Sequence, residues 1–325
     1  MTWHERVEAV QALRFTERQA GFLVTVMLHA GVCMARHYEA YAGIRHGQTA
    51  LDFVAMLLRR GVATAHTTGA RTGRLFHIHH KALYRAIGEP DNRHRRPVGL
   101  PRAVERLMLL DAVLGDRDRV WLATEWDKVT HFTLQHRIPR ADLPALTFRA
   151  GDTETVRYFP DKLPIGVDRD GWSTVFVYLV TRPAPIDFRA FLERQAELWR
   201  ALPRWTVRLL IPQHFSTKTR TYQAAFQEQI ATPLRPAVID EVRWWCEHRA
   251  KGPSEATERY DLAARGFRAP RFSAVYRAWQ QRGDRVLDAL RSPVLADAIA
   301  CGRGRFETVV LSRGYLHLVP LVGTA

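Results

Sequence analysis

Cysteine is scarce in this chain. Three stand in 325 residues, Cys33, Cys246 and Cys301, far apart and odd in number. No CxxC occurs, so neither a zinc site nor a disulfide framework is supported. There is no run of about eighteen apolar residues, and no membrane span is expected. The opening MTWHERVEAVQALRF carries acids and no long apolar block, unlike a secretory signal. These absences together lead us to expect a cytoplasmic protein without membrane contact. A Walker-type phosphate loop, GxSxG and HExxH are missing as well. The GxG at Gly302 and Gly304 lacks a third glycine and a preceding strand. No cofactor is therefore implied. Acids are also few: 33 Asp and Glu face 48 Lys and Arg, a net charge of +15. Such an excess calls for a polyanionic partner, and without a membrane signal nucleic acid leads. The apolar fraction of 46% is that of an ordinary globular core, and the length allows two domains.

What is present begins at residue 16. Thr16 followed by Gln19 is a capping-box pattern that opens a helix. Phe22, Leu23, Val26, Met27 and Ala30 recur at helical spacing, and Gly31 ends the helix. A short second helix is expected from Met34 to Tyr41, stopped by Ala42-Gly43. The turn Ile44-Arg45-His46-Gly47 then leads into a third helix, from Gln48 or Thr49 to Arg60. Its buried side would carry Leu51, Val54, Leu57 and Leu58. The period then changes. Val62–His66 reads as a strand, Thr67–Gly73 as a flexible hairpin tip, and Arg74–His79 as an alternating return strand. His77 and His79 would share one face there, which makes a two-histidine metal site geometrically possible. With no carboxylate or cysteine nearby, a strand facing solvent or phosphate explains them and His80 better.

The stretch LLRRGVA…GRLFHIHHKAL resembles winged-helix regulators: a helix ends in basic residues and glycine, a hairpin follows, and a short helix closes the unit. That resemblance implies a DNA-binding domain over residues 1–90. A helix in the major groove reads base edges with residues near its N-terminus. Here those are Arg45, His46, Gln48, Thr49 and Asp52. Gln pairs bidentately with adenine and Arg with guanine. The hairpin tip would bring Arg71 and Arg74 to the phosphate backbone or minor groove. The competing interpretation is a small helical domain that binds protein, its arginines forming a solvated face.

Residues 91–101 form a proline-rich hinge with Arg93, Arg95 and Arg96, which either lie along the DNA backbone or are a solvated linker. The remainder, 102–325, reads as an α/β regulatory or dimerisation domain. It starts with a helix over 102–115. Strands are expected at 120–123, 129–134, 155–159 and 163–167, then a buried central strand VFVYLV at 175–180. A helix over 187–202 and a strand over 205–211 follow, the last two strands being parallel across a right-handed crossover. Helices at 221–231, 237–250 and 272–290, a loop at 251–271 and a terminal hairpin around Ser312-Arg313-Gly314 complete the expectation.

The order helix, strands, helix, strand, with Pro160-Asp161 before the central strand, resembles the αβββαβ core of PD-(D/E)xK nucleases. It also resembles plasmid replication-relaxation proteins, which join a winged helix to such a core. The family's acid–x–lysine element is absent from VFVYLV. The resemblance therefore implies a degenerate core that does not cut. An active version would have to use Asp161, Lys162 and Asp168, because metal-assisted hydrolysis needs clustered carboxylates and a group that orients water. The chain as a whole reads as an α+β, sequence-specific, non-catalytic DNA-binding protein. A transcriptional or replication and mobility role fits, with double-stranded DNA and a second copy as partners and the C-terminal domain open to a protein partner. The alternatives are a divergent metal-dependent nuclease and an interaction subunit of a larger DNA-processing or defence complex.

Overall fold

The computed structural model describes residues 1–45, 47–66, 74–150, 153–251, 258–312 and 315. The protein is α+β with a mixed sheet. It divides into two compact units, Met1–Thr124 together with the segment from Leu311, and Glu125–Val310. The expected hinge at 91–101 thus falls inside the first unit.

In the first unit α1 (Trp3–Gln11) and α2 (Glu17–His29) start on capping boxes, Thr2 with Glu5 and Thr16 with Gln19. Each cap is worth about 1 kcal/mol. Every residue of α2 from Ala20 to His29 is buried, which makes it the central helix that α1, α3 and α6 pack against. Gly31, at φ +73°, turns the chain into β1 (Val32–Cys33). Next come α3 (Ala35–Ala42), ended by left-handed Gly43, and α4 (Gln48–Arg59). After them stand β2 (Ala63–His66), β3 (Leu75–Ile78), α5 (Lys81–Ala86), a 3-10 turn at Arg93–Arg95, α6 (Leu100–Gly115) and β4 (Val120–Leu122). The order β1-β3-β2 makes β3 the middle strand, antiparallel to both neighbours.

Two expectations change here. β3 does not alternate: all four of its residues are buried, because a middle strand covered on both faces has no solvent side. His77 therefore does not face solvent or phosphate. On α4, Val54 and Leu57 are buried as expected, but Leu51 is 47% exposed and Leu58 half-buried, and Ala50 and Phe53 are buried in their place. Phe53 decides that rotation. It stacks on Tyr38 at 4.2 Å and meets Phe22 edge-on at 5.9 Å. α6 forms as expected but packs on α2 and α3, inside the first unit rather than at the head of the second.

The second unit starts with α7 (Glu125–Thr130), which runs into a π-helical turn at His131–Gln135. A strand was expected over 129–134. Glu125 and Asp127 favour a helix start at that point, and Phe132 is fully buried between Phe159 and Phe176. β5 (Ala145–Ala150) and β6 (Thr153–Tyr158) form a separate antiparallel pair. The main sheet takes β7 (Ile165–Val167), β8 (Ser173–Leu179) and, after α8 (Ile186–Ala201), β9 (Arg204–Ile211). β8 is buried from Thr174 onward and parallel to β9, as VFVYLV implied, and β7 is antiparallel to β8. α8 lays Phe188, Phe191, Leu192 and Leu198 inward, and Trp199 stacks on Trp205 at 5.0 Å.

The helices that follow are α9 (Thr219–Phe226), α10 (Pro236–Lys251), α11 (Glu258–Gly266), α12 (Pro270–Arg282), α13 (Arg285–Arg291) and α14 (Val294–Ala300). α11 lies where a loop was expected, because Tyr260 and Ala263 pack on the core around Trp245. The single helix expected over 272–290 breaks at Gly283, φ +63°. β10 (Gly304–Val310) adds in parallel to β9, giving the order β10-β9-β8-β7 within this unit. The second strand of the expected terminal hairpin lies outside the described residues, apart from Tyr315.

Candidate nucleic-acid interface

α4 buries Ala50, Phe53, Val54 and Leu57 on one side. Its other side carries Gln48, Thr49, Leu51, Asp52 and Arg59, all exposed, with Ala55 and Met56 half-buried between them. At 100° per residue, positions 48, 52, 55 and 59 lie along one line of the helix. Gln48 Nε2 donates to Asp52 Oδ1 at 2.7 Å, so the carboxamide is held along that line with its oxygen and second N–H still available. Arg45 is exposed in the turn just ahead. The structure thus brings together Arg45, Gln48, Thr49 and Asp52. His46 and Arg71 lie outside the described residues. Arg74 is exposed at the entry to β3.

The three hinge arginines separate. Arg96 is exposed, whereas Arg95 donates its Nε to the Pro90 carbonyl at 3.0 Å. Arg93 is half-buried, and burial followed by the charges of Arg106 and Arg102 pushes its pKa down to about 10. Arg60 is engaged within the unit. It donates to the carbonyls of Leu13 and Arg14 and lies over the Phe15 ring at 4.1 Å, which locks the α1–α2 turn.

Beneath this surface the unit is rich in buried histidine. His77 Nε2 lies 3.0 Å from the His94 carbonyl and donates to it. Burial lowers the pKa of His77, His79 and His94, in the last case well below the usual imidazole range and helped by Arg93 and Arg106. Folding therefore favours their neutral forms. Their stability contribution is complete above the unfolded pKa of about 6.5 and is lost as pH falls below it. The slope is about 1.4 kcal/mol per pH unit for each extra proton the unfolded chain binds. Amide exchange in α2 and β3 should accelerate between pH 7.5 and 5.5 after correction for intrinsic rates. Equal protection at both values would contradict this account.

In the second unit the nuclease-type positions do not assemble. Asp161 is held by Arg194 of α8, whose Nη2 and Nε donate to its two carboxylate oxygens. Asp168 caps the β7–β8 turn by accepting from Ser173 N–H at 2.8 Å. Lys162 sits at a left-handed φ of +54° beside Asp161. Asp161 and Arg194 line a cavity of about 370 Å³ with Asp187, Glu193, Arg277 and Arg282, a wall of balanced charge. Among the described residues no three His, Cys, Asp or Glu side chains have the grouping that could hold a metal ion.

No family model, curated protein or solved structure matches this chain. Leu51, expected on the buried side, and Arg59, expected as part of a solvated face, extend the exposed face of α4, with Met56 half-buried beside them; none of the three was expected as a DNA contact. Their four-residue and three-residue spacing from Gln48, Asp52 and Ala55 was the available signal. Cys33 is a packed thiol whose pKa burial pushes up to about 12, and it offers no reactive group.

Proposed function

We propose that this protein binds double-stranded DNA sequence-specifically through its first unit and is a regulator rather than an enzyme. The observation that carries this is the face of α4. A 12-residue amphipathic helix presents Gln48, Asp52 and Arg59 outward in a line, with Thr49 exposed to one side of it. An α-helix of that width enters the major groove, where Gln reads adenine and Asp accepts from cytosine. Leu51, exposed on the same side, suits contact with a thymine methyl. The order α2, β1, α3, α4, β2, β3 supports reading the unit as a winged helix, and the charge of +15 supports a polyanion as partner. The Arg194 guanidinium on Asp161 favours a non-cutting second unit, which would sense a signal, dimerise or recruit a partner. A homodimer would supply the second half-site that such small modules use.

The test is binding to duplexes selected from a random pool, measured against salt. Log affinity should fall linearly with log salt by about 0.9 for each phosphate neutralised. Gln48→Ala should narrow the gap between selected and random duplex by about 1–3 kcal/mol while leaving random-sequence affinity in place. Failure of the wild type to bind any duplex would defeat the proposal. An unaltered gap in Gln48→Ala would remove α4 from the groove.

A further inference from the structure

The cavity beside Asp161 lies wholly within the second unit, between α8 and α12 and against β8. Two helix faces wall it. Asp187, Ala190 and Arg194 recur at three- and four-residue spacing on α8, and Ala274, Arg277, Ala278 and Gln281 do so on α12. The alanines end at Cβ, so helices that pack against each other still leave space between them. Its volume, about 370 Å³, falls among those of small-molecule sites, roughly 300–1,000 Å³.

Tyr178 of β8 forms part of the wall. Its ring is held by Phe188 at 4.8 Å and Phe191 at 5.1 Å, and the residue is only 7% exposed. Its hydroxyl makes no hydrogen bond among the described residues, yet the oxygen reaches accessible space, which here is the cavity. A polar group so deeply set is costly unless it is met by a partner, and this one has to come from what fills the cavity. Burial pushes the Tyr178 pKa up, so the hydroxyl is a donor at neutral pH.

The charges decide what suits the space. Asp161 has Arg194, and Glu193 accepts from Arg282 Nη2 at 3.1 Å and from Gln229 Nε2 at 3.0 Å. Asp187 has Arg182, which lies outside the wall, at 3.4 Å. Arg277 is exposed and takes part in no ion pair or hydrogen bond among the described residues. Each carboxylate of the wall thus has its own arginine, and one guanidinium has no counter-charge.

We propose that this cavity binds a small organic acid, held by Arg277 through its carboxylate and by a hydrogen bond from the Tyr178 hydroxyl. The guanidinium fork matches the two oxygens of a carboxylate. One unmatched positive charge suits a monoanion, whereas the nearby carboxylates oppose a phosphate dianion. Gln281, also without a hydrogen bond among the described residues, offers a carboxamide to a polar substituent of the acid. The site belongs to the second unit and does not depend on DNA binding by the first.

The experiment uses the full-length protein, saturation-transfer NMR and calorimetry. The probes are a panel of aliphatic and aromatic monocarboxylates that includes benzoate and isovalerate. Their amides serve as neutral controls and phenyl phosphate as a dianion. Arg277→Gln and Tyr178→Phe remove groups with no hydrogen bond or ion pair to lose among the described residues, so both variants should fold as the wild type does. The wild type should bind acids from the panel and ignore the matching amides. Arg277→Gln should weaken that binding by roughly ten- to hundredfold, and Tyr178→Phe by about tenfold. No acid bound by the wild type overturns the proposal, as do amides that bind as well as acids. Tighter binding of phenyl phosphate overturns the choice of a monoanion. Weakening in Arg277→Gln with none in Tyr178→Phe puts the acid on the outer surface and overturns the cavity as its seat.

Discussion

Asp111→Ala will lower the stability of the first unit by about 3–5 kcal/mol, the range for leaving a buried charge without its partner. Asp111 on α6 is where three separate parts of the chain meet. Arg36 of α3 grips both carboxylate oxygens, Nη1 to Oδ1 at 2.7 Å and Nη2 to Oδ2 at 3.0 Å. His37, fully buried, takes the Met34 N–H on its Nδ1 at 2.8 Å, so its Nε2 carries the proton and donates to Asp111 at 3.1 Å. Tyr315, reached only after the chain has completed the second unit, donates its hydroxyl to Oδ2 at 2.5 Å and accepts from Arg36. Burial by itself would raise the Asp111 pKa. The hydrogen bonds from His37 and Arg36 overcome it and hold the carboxyl well below the usual carboxylate range.

Its contribution is therefore present at neutral pH and is lost only in strong acid, below the region where the histidines act. Truncation removes the acceptor of the buried His37 Nε2 and both carboxylate contacts of Arg36, which keeps only its bond to Tyr315 from this network. Tyr315→Phe removes both hydrogen bonds of that hydroxyl, the one to Asp111 and the one from Arg36, and should cost about 1–3 kcal/mol. Denaturant unfolding, with exchange protection in α3 and α6 as the local readout, measures both. A loss under 1 kcal/mol for Asp111→Ala would mean that solvent replaces the whole clasp.

Gly31→Ala ranks next, with an expected loss of about 2–5 kcal/mol. The residue has φ +73°, where a side chain costs about 1–2 kcal/mol. The added methyl would also meet the His94 carbonyl oxygen at 2.4 Å and its Cβ at 2.7 Å, both on a fastened turn. Backbone atoms cannot swing aside as a flexible side-chain end does, so the strain adds to the conformational cost. Gly43→Ala is the natural comparison. It shares the left-handed backbone, φ +65°, but has nothing within 4 Å of the would-be methyl. It should lose only the conformational part, about 1–2 kcal/mol. Equal losses at the two glycines, measured by thermal or denaturant unfolding, would show that the turn at 93–95 moves freely.

Local chemistry was enough to place much of this protein. Thr16 with Gln19, Gly31, Gly43 and the change of period after Gly61 are short-range signals, and the helices and strands they imply for 16–88 stand close to where they were expected. VFVYLV and the helix after it gave the parallel β8–β9 pair for the same reason, since one continuous apolar run has few places to go. The Thr2–Glu5 box is equally legible in the sequence.

Signals of only a few residues misled. VTHFTL alternates as a strand does, yet Phe132 is drawn into an aromatic core and the segment coils. Which side of α4 faces out depended on Phe53 finding Tyr38, which no periodicity reveals.

What residues 16–88 determined alone was the run of elements and a polar helix face with arginine before it. The pairing of Asp161 with Arg194, the burial of His77, the meeting of Arg36, Asp111 and Tyr315, and the placing of Tyr178 and Arg277 on one cavity were decided only by the tertiary structure. Each brings together groups far apart along the chain or on separate elements. Their partners are chosen by how helices and strands pack, and a charge or histidine acquires its role only once burial and neighbours set its energy.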